Sequence, residues 1–169
     1  MNRSVALASA VLWAAAALNA AACAHATPQP PPPGPADTTA AQPDSPCPDG
    51  FEGALTGTGT ERPLLICTGG TWQQLHDPYP SSDRWLTTGP ELIVHGQGRR
   101  NPEAKAGSWT GLPQTAEAHC RVDSVDVVGA GRTSAPQTFT AGAGQPLHFE
   151  VSDHLFTVAL SGFCLWQRE

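Results

Sequence analysis

Helical periodicity is the first thing missing from this chain. No stretch of eleven or more residues keeps a 3.6-residue apolar period, so no amphipathic helix organises the fold. Basic residues are also few, nine against 15 acidic ones, for a formal net charge of −6. With no basic face to meet phosphate, nucleic acid is excluded as a partner. Catalytic spacing is absent as well: there is no Gly-x-Ser-x-Gly elbow, no Ser-x-x-Lys pair, and no His-x-His or His-x-x-x-His. Gly57-Thr-Gly59 and Gly129-Ala-Gly131-Arg132 lack the downstream glycine and helix of a nucleotide-binding loop, and read as turns. The sequence therefore implies no cofactor and no metal.

Long apolar runs are missing too, except at the start. Residues 5–18 form an uncharged run of 14 preceded by Arg3, which is the core of a signal peptide. A membrane-spanning helix needs about 20 such residues to cross ~30 Å of hydrocarbon, and the run ends too soon for one. Two cleavages compete. Ala24-His25-Ala26 offers the small residues of an ordinary signal-peptidase site, giving a leader of 1–26 and a released protein. Ala20-Ala21-Ala22-Cys23 is similar to a bacterial lipobox, giving a leader of 1–22 and a lipid-modified Cys23 as a membrane anchor.

Residues 27–46 carry eight of the chain's 17 prolines and nothing apolar larger than proline. They cannot form a core and are expected to be a disordered, extended linker reaching up to about 60 Å at ~3.1 Å per residue. Residues 47–169 are enough for one domain, in which a hairpin unit over 47–77 precedes a main body over 85–169. Beyond the 1–26 leader the chain keeps eight basic and 15 acidic residues, a net charge of −7.

In an exported domain Cys47, Cys67, Cys120 and Cys164 are expected to form two disulfides. Three connectivities are open. Pairing Cys47 with Cys67 and Cys120 with Cys164 closes two local regions and is favoured over the other two. Segments 63–67 and 71–75 flank Thr68-Gly69-Gly70 and predict a hairpin with Trp72 covering the first bridge. Further strands are predicted at 91–95, 107–112, 119–128, 137–140, 147–151 and 155–166. The last is apolar on both faces and belongs in the middle of the structure. The predicted fold is all-β, an antiparallel β sandwich stapled by disulfides.

Candidate functional residues are sparse. Arg99, Arg100 and Lys105 gather in one loop of an otherwise acidic chain and offer a docking point for an anionic partner, with Glu103 as a local counter-charge. His148 and Glu150 share a strand face with His154 in the next turn, which allows a hydrolytic patch. Ser108 comes nearest to a nucleophile but has no base placed by sequence. Trp72, Trp85, Trp109 and Trp166 offer a carbohydrate platform only if exposed, and at most Trp85 or Trp109 is expected to be.

One lysine against eight arginines, rich Ala, Gly and Pro and the export segment together resemble exported or envelope proteins of high-GC actinobacteria. The expectation is a non-catalytic exported domain that binds a protein, wall or lipid partner through surface loops, touching a membrane only through Cys23. A secreted inhibitor or effector acting through residues 96–108 is the alternative. A hydrolase built on His148, Glu150 and His154 is the third.

Overall fold

The structure, a computed structural model, describes residues 41–58 and 61–169. The leader, Cys23 and the linker as far as residue 40 lie outside the described residues. A single 3-10 turn (Asp49–Phe51) precedes ten strands: β1 (Leu55–Thr58), β2 (Glu61–Thr68), β3 (Thr71–Leu75), β4 (Arg84–His95), β5 (Gly107–Pro113), β6 (Arg121–Gly129), β7 (Arg132–Thr133), β8 (Gln137–Thr140), β9 (Leu147–Val151) and β10 (Leu155–Arg168). No α-helix occurs among the described residues. The all-β expectation holds.

The sheet is mixed, which corrects the fully antiparallel expectation. β1 lies parallel to β4 through Leu55↔Trp85 and Thr56↔Leu86. β1, β2 and β3 form an antiparallel meander, and the chain then crosses back over β2 and β1 through residues 76–83 to enter β4 on the far side of β1. A crossover of that kind forces a parallel pair.

β10 is the central strand, as its two apolar faces predict. One edge pairs with β4 along nearly its whole length, while the other pairs first with β6 and then with β5. The sheet forks there, into a β6/β8 branch and a β5/β9 branch. Ser161 is bulged out of register with β4, and Gly162 sits opposite Gly89, both at positive φ (93° and 127°). A Cβ on Gly162 would lie 2.0 Å from the His119 carbonyl oxygen, so only glycine lets β6 start there.

The bend at these glycines folds β4 back on itself. Twelve straight residues would set its ends about 36 Å apart, yet Glu103 contacts both His95 at its end and Ser82, two residues before its start. The Glu103 carbonyl accepts from Ser82 N at 2.9 Å and its N–H donates to His95 O at 2.9 Å. Its side chain, 0% exposed, accepts from His95 N at 3.0 Å and lies 3.3 Å from His95 Nδ1.

The larger core draws on both branches of the fork: Trp85, Leu92 and Val94 of β4, Trp109 of β5, Val122 of β6, Leu147 and Phe149 of β9, and Val158, Leu160 and Trp166 of β10. Gly111 makes room for Trp166, whose ring would clash with a Cβ there at 2.4 Å. Its indole N–H donates to Thr87 Oγ1 at 2.9 Å, so the buried ring leaves no donor unpaired.

A second cluster packs Leu65, Trp72, Leu86 and Leu165 against Cys47 and Cys67. Ala41 is buried in it, and Asp44 and Ser45 exchange backbone hydrogen bonds with Trp72. The folded region thus takes in residues from Ala41, inside the stretch that proline content assigned to the linker. Both disulfides follow the local pairing, Cys47–Cys67 and Cys120–Cys164.

Gly162→Ala combines left-handed strain with a backbone clash and is expected to cost at least ~2 kcal/mol. Gly131→Ala, at φ 68° with open space around it, should cost only about 1 kcal/mol. Urea midpoints of the two variants check the difference.

Candidate functional site

Three loops converge at one end of the sheet. Residues 96–106 leave β4 and run along β10, where Gly96 N donates to Phe156 O (3.1 Å) and Gly98 N to Leu155 O (2.7 Å). The β9–β10 turn joins through His154 O, which accepts from Val127 N at 2.8 Å. A Cβ on Gly98 would meet His154 O and Val127 Cγ2, each at 2.7 Å, so the glycine is what lets the three backbones approach. The β6–β7 turn follows at once, with Gly129 opposite Arg132.

The structure separates the three cations that sequence grouped together. The Arg99 guanidinium stacks over Phe156 at 4.9 Å, and Arg100 is exposed beside it. Lys105 turns away, and its Nζ pairs with Asp83 Oδ2 at 2.8 Å, where Arg168 also approaches Asp83 Oδ1 at 3.8 Å. Lys105 is a clasp between the loop and the start of β4. Glu103 is likewise no surface counter-charge: it points inward to His95, whose ring stacks on Tyr79 at 5.7 Å. Sequence reasoning missed Arg132 and Val128 at this end, because only the β6–β7 turn brings them beside residues 96–100. The glycine pair in Gly129-Ala-Gly131 was the available signal.

A second polar cluster lies across β5 and β9. The pattern of β9 puts Leu147, Phe149 and Val151 inward and His148 and Glu150 outward. Glu150 accepts from the Ser108 hydroxyl at 2.8 Å. The Thr110 hydroxyl donates to Glu169 Oε1 at 2.6 Å, which leaves its oxygen to accept from His148 Nδ1 at 2.8 Å. This arrangement places the N–H of His148 on Nδ1. His154 is engaged elsewhere, 3.5 Å from Asp153. The His148, Glu150 and His154 grouping thus divides among separate partners. No three His, Cys, Asp or Glu side chains are grouped to hold a metal among the described residues. Ser108 faces a carboxylate, and Thr110 is buried. Glu169 escaped sequence reasoning, since nothing local ties it to β5.

Trp72, Trp85, Trp109 and Trp166 are all buried. None provides a carbohydrate platform. On the outer face of β6, Arg121 grips Asp123 through Nε (2.7 Å) and a second nitrogen (2.9 Å), and the Thr138 hydroxyl also donates to that carboxylate. The Arg121 contact first, and Thr138 second, hold the Asp123 carboxyl below the usual aspartate range.

No protein-family model, curated protein or solved structure matches this chain.

Because the folded value for Asp123 is lowered, its stabilisation is present above the unfolded value near 3.9 and is lost as pH falls through the folded value. Asp123→Asn should therefore flatten the loss of stability below about pH 4, read from urea midpoints between pH 3 and pH 6. Glu103→Ala leaves the His95 N–H without its buried side-chain acceptor, and should cost about 3 kcal/mol. Glu103→Gln keeps an acceptor and should cost clearly less in the same measurement.

Proposed function

We propose that this chain is an exported, non-catalytic binding domain whose loops at one end of a two-layer β sandwich meet a partner in or beyond the cell envelope. The observation that carries the reading is a cationic loop held rigid by its own backbone. Residues 96–98 are hydrogen-bonded to β10, Glu103 and Lys105 anchor the rest of the segment, and Arg99 and Arg100 face solvent. A loop already ordered before contact loses little conformational entropy on binding. The polar groups that suggested catalysis are engaged with one another, which suits a structural role for them.

Export is supported by the apolar leader and by two disulfides, which persist in oxidising compartments. The two-layer arrangement is inferred from the fold-back of β4 and from Phe139 of β8 lying against Phe149 of β9 (6.4 Å), which brings the two branches over one core. In this reading residues 27–40 act as a spacer, and lipid on Cys23 makes the spacer a tether.

The same rigid loop suits an inhibitor, the second reading. A rigid segment resists distortion in a protease cleft, and this form would be found free in the medium and would lower protease turnover stoichiometrically.

Intact mass of the protein isolated from its producing cells tests the proposal. A mass that begins at Cys23 with added acyl chains, or at Thr27, supports export, whereas a full-length mass retaining Met1 overturns it. Reduction should add four hydrogens. In the exported protein, Arg99→Glu with Arg100→Glu should lower recovery with envelope material severalfold while the urea midpoint shifts by no more than about 0.5 kcal/mol equivalent.

A further inference from the structure

We propose that the end of the molecule built from residues 96–101, 127–133 and 153–156 docks on an anionic lipid bilayer. This deepens the proposed function and rests on it. Sorting the described cations by what they touch shows a segregation that composition hides. Arg121 is paired with Asp123, Lys105 and Arg168 lie against Asp83, and Arg84 donates to the Gly50 carbonyl at 2.8 Å. Among the cations whose side chains are described, Arg99, Arg100 and Arg132 remain. None of them forms an ion pair with a described residue, all three are exposed, and all three sit at this one end.

Two carboxylates lie nearby, fewer than the three arginines: Asp126 accepts from the Ser152 hydroxyl at 2.8 Å, and Asp153 lies 3.5 Å from His154.

An apolar element distinguishes a bilayer from other polyanions. Val128, at the end of β6 beside the turn, is 58% exposed, more than Tyr79 or Ile93, the other exposed large hydrophobics among the described residues. Phe156 lies half-buried under Arg99. An exposed valine next to the turn that carries Arg132 fits a headgroup layer, where the cations reach phosphates and the side chain reaches the acyl boundary. A hydrated wall polymer gains nothing from Val128.

Each juxtamembrane arginine strengthens such binding roughly fivefold, so three give about a hundredfold. On its own this is a weak, salt-sensitive attachment. It orients a domain that a second attachment already holds near the surface.

The test is co-sedimentation of the full chain with vesicles of phosphatidylcholine alone, or mixed equally with phosphatidylglycerol, at low and high salt. Binding is expected to the anionic vesicles at low salt, and to fall about a hundredfold in the Arg99→Gln, Arg100→Gln, Arg132→Gln triple variant. Val128→Asp should weaken it further, and Arg121→Gln, a cation on another face, should leave it unchanged. Near-ultraviolet circular dichroism confirms the fold of each variant. Because every variant keeps the same apolar leader, charge-independent partitioning cancels in the comparison.

Equal binding to both vesicle types, or an unaltered triple variant, overturns the proposal. So does binding of a soluble acidic polymer or protein at this face with vesicles left unbound. Those outcomes remove the lipid assignment alone. The proposed function stands or falls separately, on the intact mass and on envelope recovery.

Discussion

Gly89 and Gly162 face each other across the β4–β10 pair, and the rest of the architecture hangs on the bend they permit. Without it β4 and β10 would be two long straight strands, with solvent on one side. With it, each strand contributes a half to each branch of the sheet. The near contact of Gly162 with the His119 carbonyl shows how tightly β6 is fitted at the fork, and Cys120–Cys164 fastens the same corner covalently. Glu103 then closes the far side by tying His95 at the end of the folded strand to Ser82 just before its start. Two glycines, one disulfide and one buried carboxylate therefore fix a shape that hydrophobic burial alone would leave loose.

Burial of large aromatics imposes the next constraint. Three fully buried tryptophans fill the main core, and two of them, Trp109 and Trp166, find a partner for the indole N–H inside it, while that of Trp85 has none among the described residues. Thr87 serves Trp166, and the Lys105 carbonyl serves Trp109 at 2.9 Å. This places a polar residue such as Thr87 in a strand interior, where an apolar pattern alone would not put it. The acidic groups follow the same rule: Glu103, Asp123 and Glu169 each satisfy specific donors rather than forming a charged surface. What remains exposed and cationic is the loop end.

Much of the fold was legible because strands write a period of two into sequence. β3, β8 and β9 fall at their predicted bounds, and β10 was recognised as central from its two apolar faces. The local disulfides were legible as well, since each closes a short region. The first half of β4 was not, because Gly89-Pro90 reads as a strand end when it is in fact a bend inside one. β1 was too short and glycine-containing to register. The parallel β1–β4 pairing depends on a crossover that leaves no mark on either strand. At the loop end, Arg99 and Arg100 could be read directly, but the pairing of Lys105 with a partner 22 residues upstream could not, and Arg132 joins only through tertiary contact.

The centre of this structure is the part of it that comes last among its pairing partners. β10 follows β4, β5 and β6 in the chain, so a chain emerging N-terminus first has no strand to join them until Leu155–Arg168 has emerged. Its pairings are long-range, and closing them is slow compared with local hairpins. The β2–β3 hairpin, by contrast, is complete early. Cys47 and Cys67 can therefore meet while Cys120 still waits for Cys164, which favours closing the hairpin cystine before the one at the fork.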